Sequence, residues 1–255
     1  MPYPLLYQIQ TRDTLYRLSN ELNRKATLAD IPDAMLDEWK ALGFDWIWLL
    51  GVWETGEAGR EMSRTRPGWQ KEFHETLPDL KTEDITGSCF SIKSYTVHPD
   101  FGGEEALADI RERIHQRGMK LMLDFVPNHT APDHHWVSEH PEFYIHGTID
   151  DLNRAPENYL VVDVKGEKQI IAHGRDPSYG SWVDSAQFDH ANPELQRAMR
   201  ETMWAIADLC DGVPHTGRGF RVHHGYDLVG GCLELALHFI KVDRCLFISP
   251  NQILQ

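Results

Sequence analysis

The stretch LMLDFVPNHT (Leu121 to Thr130) sets a carboxylate, an amide and an imidazole close together at the end of an apolar run. Leu121, Met122, Leu123, Phe125 and Val126 read as a short strand of a parallel sheet, and Asp124 interrupts them. A buried carboxylate is costly unless it is paired, so Asp124 is either locked to a partner or placed for chemistry. Pro127 ends the strand. Asn128 and His129 then fall on the loop at its carboxyl end, which in α/β barrels is the active face. His134, His135 and His140 follow and raise the thought of a metal-dependent hydrolase built on the His129 to His140 cluster. Their spacing matches neither HExxH nor a two-pair zinc pattern, and adjacent histidines point apart, so solvated loop histidines are the simpler account.

The elements around this stretch alternate as βαβ units do. Leu5 to Thr11 reads as strand one and Trp46 to Leu50 as strand two. Between them Ile31, Met35, Trp39 and Leu42 share a helical face that stops at Gly43. Leu107, Ile110 and Ile114 form the stripe of a helix ended by Gly118, directly before the strand carrying Asp124. The segment from about Thr130 to Asp189 breaks the pattern. It is long and rich in His, Pro and Asp, with short strand-like runs at Tyr159 to Val164 and Gln169 to Ala172, and reads as an insertion. Asn192 then caps, and Pro193 opens, a helix with the stripe Leu195, Met199, Met203, Ile206 and Leu209. Cys210 to Val213 is the candidate strand four.

Composition removes several classes. With 255 residues and 41% apolar content the chain can bury a full core. No apolar run reaches the roughly 18 residues of a membrane span, and the amino terminus shows no signal-peptide pattern, so the expected compartment is the cytoplasm. Cys89, Cys210, Cys232 and Cys245 are too scattered for CxxC pairs or a dense framework, and reduced thiols are expected. A net charge of −14 would repel phosphate backbones, which argues against nucleic acid as a partner.

DFVPNHT resembles the first short motif of the α-amylase family of glycoside hydrolases (family 13). Three further segments resemble family features in the family's order: GFDWIWLLGVWETG (Gly43 to Gly56) its second barrel strand, SYTVHPDFGG (Ser94 to Gly103) the segment before its third helix-strand unit, and AQFDHANPEL (Ala186 to Leu195) the motif closing the inserted domain. The resemblance implies the N-terminal half of a (β/α)8 TIM barrel over 3–213, strands one to four, with a small domain B inserted after strand three at about 130–189. It implies α-glucosides or oligosaccharides as ligands, with a branch acting on short α-glucosides favoured over starch liquefaction, and retaining cleavage by two carboxyl groups roughly 5 to 5.5 Å apart.

Residue by residue, the resemblance gives Asp124 a supporting role beside the nucleophile's Arg. His129 becomes the residue that hydrogen-bonds the sugar, and Asn128 an oxygen donor to a calcium ion that only some relatives hold. Cys89 stands where the family has its aromatic sugar platform, so Phe90 is the candidate substitute. Tyr95 joins the substrate-side residues, although packing is its simpler role. Where the family's Gly-x-Arg-x-Asp should follow strand four, this chain reads Asp211-Gly212-Val213-Pro214-His215-Thr216. A rival alignment on Gly219-Phe220-Arg221-Val222-His223 also lacks the final Asp. The tail 214–255 carries net charge +1, against −15 for residues 1–213, and loses the strand-helix alternation. It is read as a divergent tail of unknown structure, expected to follow a frame shift or a truncation of the gene, with a genuine divergent segment as the alternative. The expectation is a catalytically incomplete glycoside hydrolase or glycosyltransferase, or a noncatalytic carbohydrate-binding relic, with open strand edges that favour self-association.

Overall fold

The computed structural model describes residues 4–175, 180–214 and 246–248. In chain order the strands are β1 (Leu5–Gln10), β2 (Trp46–Leu50), β3 (Trp53–Thr55), β4 (Ile92–Val97), β5 (Lys120–Leu123), β6 (His129–Thr130), β7 (Tyr159–Val164), β8 (Glu167–Ala172), β9 (Ala186–Gln187) and β10 (Leu246–Ile248). The helices are α1 (Thr11–Leu22), α2 (Asp33–Ala41), α3 (Glu57–Thr65), α4 (Pro67–Thr76), α5 (Gly103–Gln116), α6 (His135–Glu139), α7 (Ile149–Arg154) and α8 (Pro193–Leu209). Among the described residues no helix is long and apolar enough to cross a membrane.

Two compact units share the chain. Among the described residues the first takes 4–52, 96–125, 200–214 and 246–248, and the second takes 53–95, 126–175 and 180–199. The first unit is the barrel part: a sheet in the order β10-β1-β2-β5, every neighbouring pair parallel. Leu6, Ile47, Leu49, Leu121 and Leu123 are buried along it. Buried Leu107, Ile110 and Ile114 form the inner stripe of α5, as their spacing requires. After α8 the chain makes a parallel bridge from Gly212 to Met122, in the place of strand four. Asp211 secures it, accepting from the Leu121 amide (2.7 Å), Arg111 Nη2 (2.8 Å) and His115 Nε2 (2.7 Å). Burial alone would raise the Asp211 carboxyl, but these hydrogen bonds hold it below the ordinary carboxylate range.

The second unit holds three two-stranded pairs, β3–β4, β6–β9 and β7–β8, the last two antiparallel. Its helical corner is pinned by Asp133, which accepts from the Glu57 amide at 2.8 Å at the start of α3. Asn192 Oδ1 accepts from the amides of Glu194 (2.9 Å) and Leu195 (3.3 Å), so the expected cap of α8 is present.

Three expectations are corrected. The single helical face expected from Ile31 to Leu42 is broken: a 3-10 turn at Leu28–Asp30 precedes α2, which starts after Pro32. Pro32 lacks an N–H and resets the phase, so Leu36 and Trp39 are buried while Leu42 is 54% exposed. The strand expected to run to Val126 ends at Leu123, because the Gly51 amide, next after β2, bonds the Asp124 carboxylate instead of a backbone carbonyl. The outer edge of β1, expected to be open, carries β10. The remainder of the tail, with Thr216 and His223, lies outside the described residues.

Candidate functional site

Asp124 belongs to the first unit and sits one residue beyond β5. It is 3% exposed, and its two oxygens accept from Trp48 Nε1 (2.8 Å) and from the Gly51 amide. Burial raises its carboxyl to about 6, and the two hydrogen bonds limit the rise. Gly51 has φ +78°, a conformation that glycine adopts without strain and that aims its amide at the carboxylate. The pairing demanded by a buried acid is therefore met in part by an indole and a backbone amide. Trp48 lay in the strand-two segment but carried no signal of this role.

The other candidate residues belong to the second unit. β6 pairs with β9 in the register His129 to Gln187 and Thr130 to Ala186. His129 is buried, and its ring lies 5.3 Å from that of Trp182. Burial pushes the imidazole down to about 4, against a hydrogen bond with the Phe90 backbone that favours the charged ring, so His129 is neutral at pH 7. Its Nδ1 lies 3.2 Å from Asn128 Nδ2. Gly174 makes the close approach of Trp182 feasible. A Cβ there would come within 2.7 Å of Ser185 Oγ, 3.1 Å of the Trp182 ring and 3.3 Å of the His129 Cβ. Nothing in the spacing of Trp182 or Gly174 pointed to this arrangement.

Phe90 is 43% exposed and is joined to His129 through its backbone, so it presents an accessible ring next to the half-buried thiol of Cys89. Tyr95 is committed elsewhere. Its hydroxyl accepts from the Val126 amide (2.9 Å) and donates to the Val126 carbonyl (3.2 Å), and its ring meets Trp53 edge-on at 5.5 Å. It positions the loop that leads to Asn128. Both oxygens of Asn128 face the Gln187 amide: Nε2 donates to the backbone carbonyl (2.8 Å) and to Oδ1 (3.0 Å). Oxygens that already receive N–H groups do not form a calcium cradle as placed.

The histidine cluster is not assembled as a metal site. His134 caps α6 by accepting from the Trp136 amide (3.1 Å), His135 stacks on it at 4.4 Å, and His140 pairs with Glu142 at 3.0 Å. Among the described residues no group of three or more His, Cys, Asp or Glu side chains could hold a metal ion.

The family model for the alpha amylase catalytic domain matches residues 31–206. The chain belongs to the α-amylase family. It is 34% identical over 126 residues to an alpha-1,4-glucan:maltose-1-phosphate maltosyltransferase from Cereibacter sphaeroides, covering 46% of this chain and 17% of that protein. It is 28% identical over 157 residues to the trehalose synthase/amylase TreS of Mycolicibacterium smegmatis, covering 54% and 26%. The crystal structure of an alpha-amylase from Lactobacillus plantarum shares its fold, with a TM-score of 0.55 and 24% identity over 82% of this chain and 37% of that one. The chain thus spans about a quarter or less of the length of these curated relatives. Its first unit is a part of the family's (β/α)8 barrel, and the family comprises glycosidases and glycosyltransferases of α-glucans.

Proposed function

We propose that this chain binds short α-glucosides beside Phe90, His129 and Trp182 and does not cleave them. The observation that carries the reading is the bridge from Gly212 to Met122. It supports the alignment in which Gly212 opens the family's Gly-x-Arg-x-Asp, which sets Pro214 at the Arg position and Thr216 at the nucleophile. A threonine hydroxyl is a poor nucleophile toward an anomeric carbon, and without the Asp the covalent route of a retaining enzyme is closed. The exposed ring of Phe90 and the neutral, aromatic-flanked His129 suit an apolar sugar face and a hydroxyl respectively.

The full chain is to be incubated with an aryl α-glucoside, sucrose, trehalose and maltooligosaccharides. Product release should stay at the level of buffer alone, because the position of the nucleophile carries no carboxylate to form the glycosyl-enzyme intermediate. Maltose should perturb the ring resonances of Phe90 and Trp182 at millimolar concentration, and Phe90→Ala should weaken that perturbation. Turnover by the wild-type chain would refute the noncatalytic reading. An unperturbed spectrum would refute the sugar site.

A further inference from the structure

Asn128 is the position that the family likeness associates with calcium, yet here it is enclosed by an amide. Gln187 Nε2 donates to the Asn128 carbonyl at 2.8 Å and to its Oδ1 at 3.0 Å, and the Phe188 amide donates to the same carbonyl at 3.1 Å. Asn128 Nδ2 in return donates to Gln187 Oε1 at 3.2 Å. The Asn128 carbonyl is a backbone group that can only accept, so the nitrogen of Gln187 must be the end that faces it. That choice turns Oε1 toward Asn128 and requires Nδ2 to be the end of Asn128 that meets it. The second hydrogen of Nδ2 is then directed to His129 Nδ1, 3.2 Å away.

We propose that Gln187 takes the place of a calcium ion at Asn128 and, through the oriented Asn128 amide, fixes His129 as the tautomer protonated on Nε2. A cation and an N–H group make the same demand on the two Asn128 oxygens, and the Gln187 amide, carried on β9 opposite His129 and reaching the neighbouring Asn128, supplies it within the chain. Only the amide also passes direction onward, because its carbonyl end orders the Asn128 nitrogen. Gln187 and Asn128 are positioning residues. The relay holds whether or not a sugar occupies the site, so its test is independent of the function proposed above.

The test uses the full chain labelled with 15N at histidine. Two-bond proton–nitrogen spectra should show His129 with a bare Nδ1 and a protonated Nε2. The melting temperature should differ between millimolar calcium and EDTA by less than about 1 °C, where a bound ion would add several degrees by mass action. Asn128→Asp replaces the donor facing Nδ1 by an acceptor and should move the proton to Nδ1. Gln187→Leu releases the Asn128 amide and should give mixed tautomers, so the relay stays testable if the aspartate variant fails to fold. A wild-type ring protonated on Nδ1, a tautomer that either folded variant leaves unchanged, or a calcium-dependent rise in melting temperature of several degrees would overturn the proposal.

Discussion

At Asp124 and His134 burial disfavours the charged form of each group, which raises the acid and lowers the base, and each leaves its own mark on pH dependence. The folded Asp124 carboxyl, pushed up to about 6 by burial, lies above its ordinary value. Its contribution to stability is therefore complete below about pH 4 and is lost as pH rises through 6, with a limit of roughly 3 kcal/mol for a shift of about two units. Asp124→Asn removes this dependence. The difference in urea midpoint between wild type and variant should change between pH 4 and 7, and a constant difference would contradict the assignment. His134 is pushed down to about 3, chiefly by burial and then by the neighbouring His135. A base with a lowered folded value contributes stability above its ordinary 6.5 that is lost as pH falls toward 3. His134→Asn keeps a capping acceptor for the Trp136 amide and should flatten the loss of stability from pH 6.5 to 4.

Between elements, Asp211 joins the end of α8, the face of α5 and the start of β5 through one carboxylate. Arg111 completes the clamp by donating to the carbonyls of Asp208 (2.8 Å) and Cys210 (2.7 Å), which fastens the last turn of α8. Asp211→Ala removes the partner of the His115 ring nitrogen and of the Leu121 amide, and leaves Arg111 with only the carbonyls of Asp208 and Cys210. It should destabilise the chain by about 2 to 3 kcal/mol, with a lower melting temperature as the measure. Arg111→Lys, which keeps the charge but not the fork, should recover less than half of the effect on carbonyl fastening. If Asp211→Ala melts with the wild type, strand four is held by the buried stripe of α8 alone.

For the whole chain, the argument about self-association turns on sheet edges. β1 is covered by β10, while among the described residues the strand-four segment makes only the one-residue bridge at Gly212. Trp204, 48% exposed on α8, lies with Met203, Ala207 and Val213 around a cleft at that segment. A short strand edge next to an accessible indole is the kind of surface that pairs with another copy. Sedimentation at increasing concentration should show reversible association, and Trp204→Glu should shift the distribution toward monomer. A monodisperse monomer at all concentrations would remove the edge argument.

Local pattern was enough for strand β2 and the start of β5, the stripe of α5, the cap of α8 and the strand-like runs of β7 and β8, because each depends on residue types or burial periods near in sequence. The family likeness rested on contiguous motifs and was equally local. What chemistry faces Asp124, Asn128 and His129 was decided only by tertiary structure. Trp48 reaches Asp124 from a different strand, Gln187 reaches Asn128 across the β6–β9 pair, and Trp182 reaches His129 over a glycine that no pattern distinguished. Partners separated by 59 or 76 residues leave no period to read. The break at Pro32 was local and readable in principle, since a proline cannot continue the preceding helical hydrogen bonds. The end of β5 was not, because it follows from a carboxylate taking the amide that a longer strand would have used.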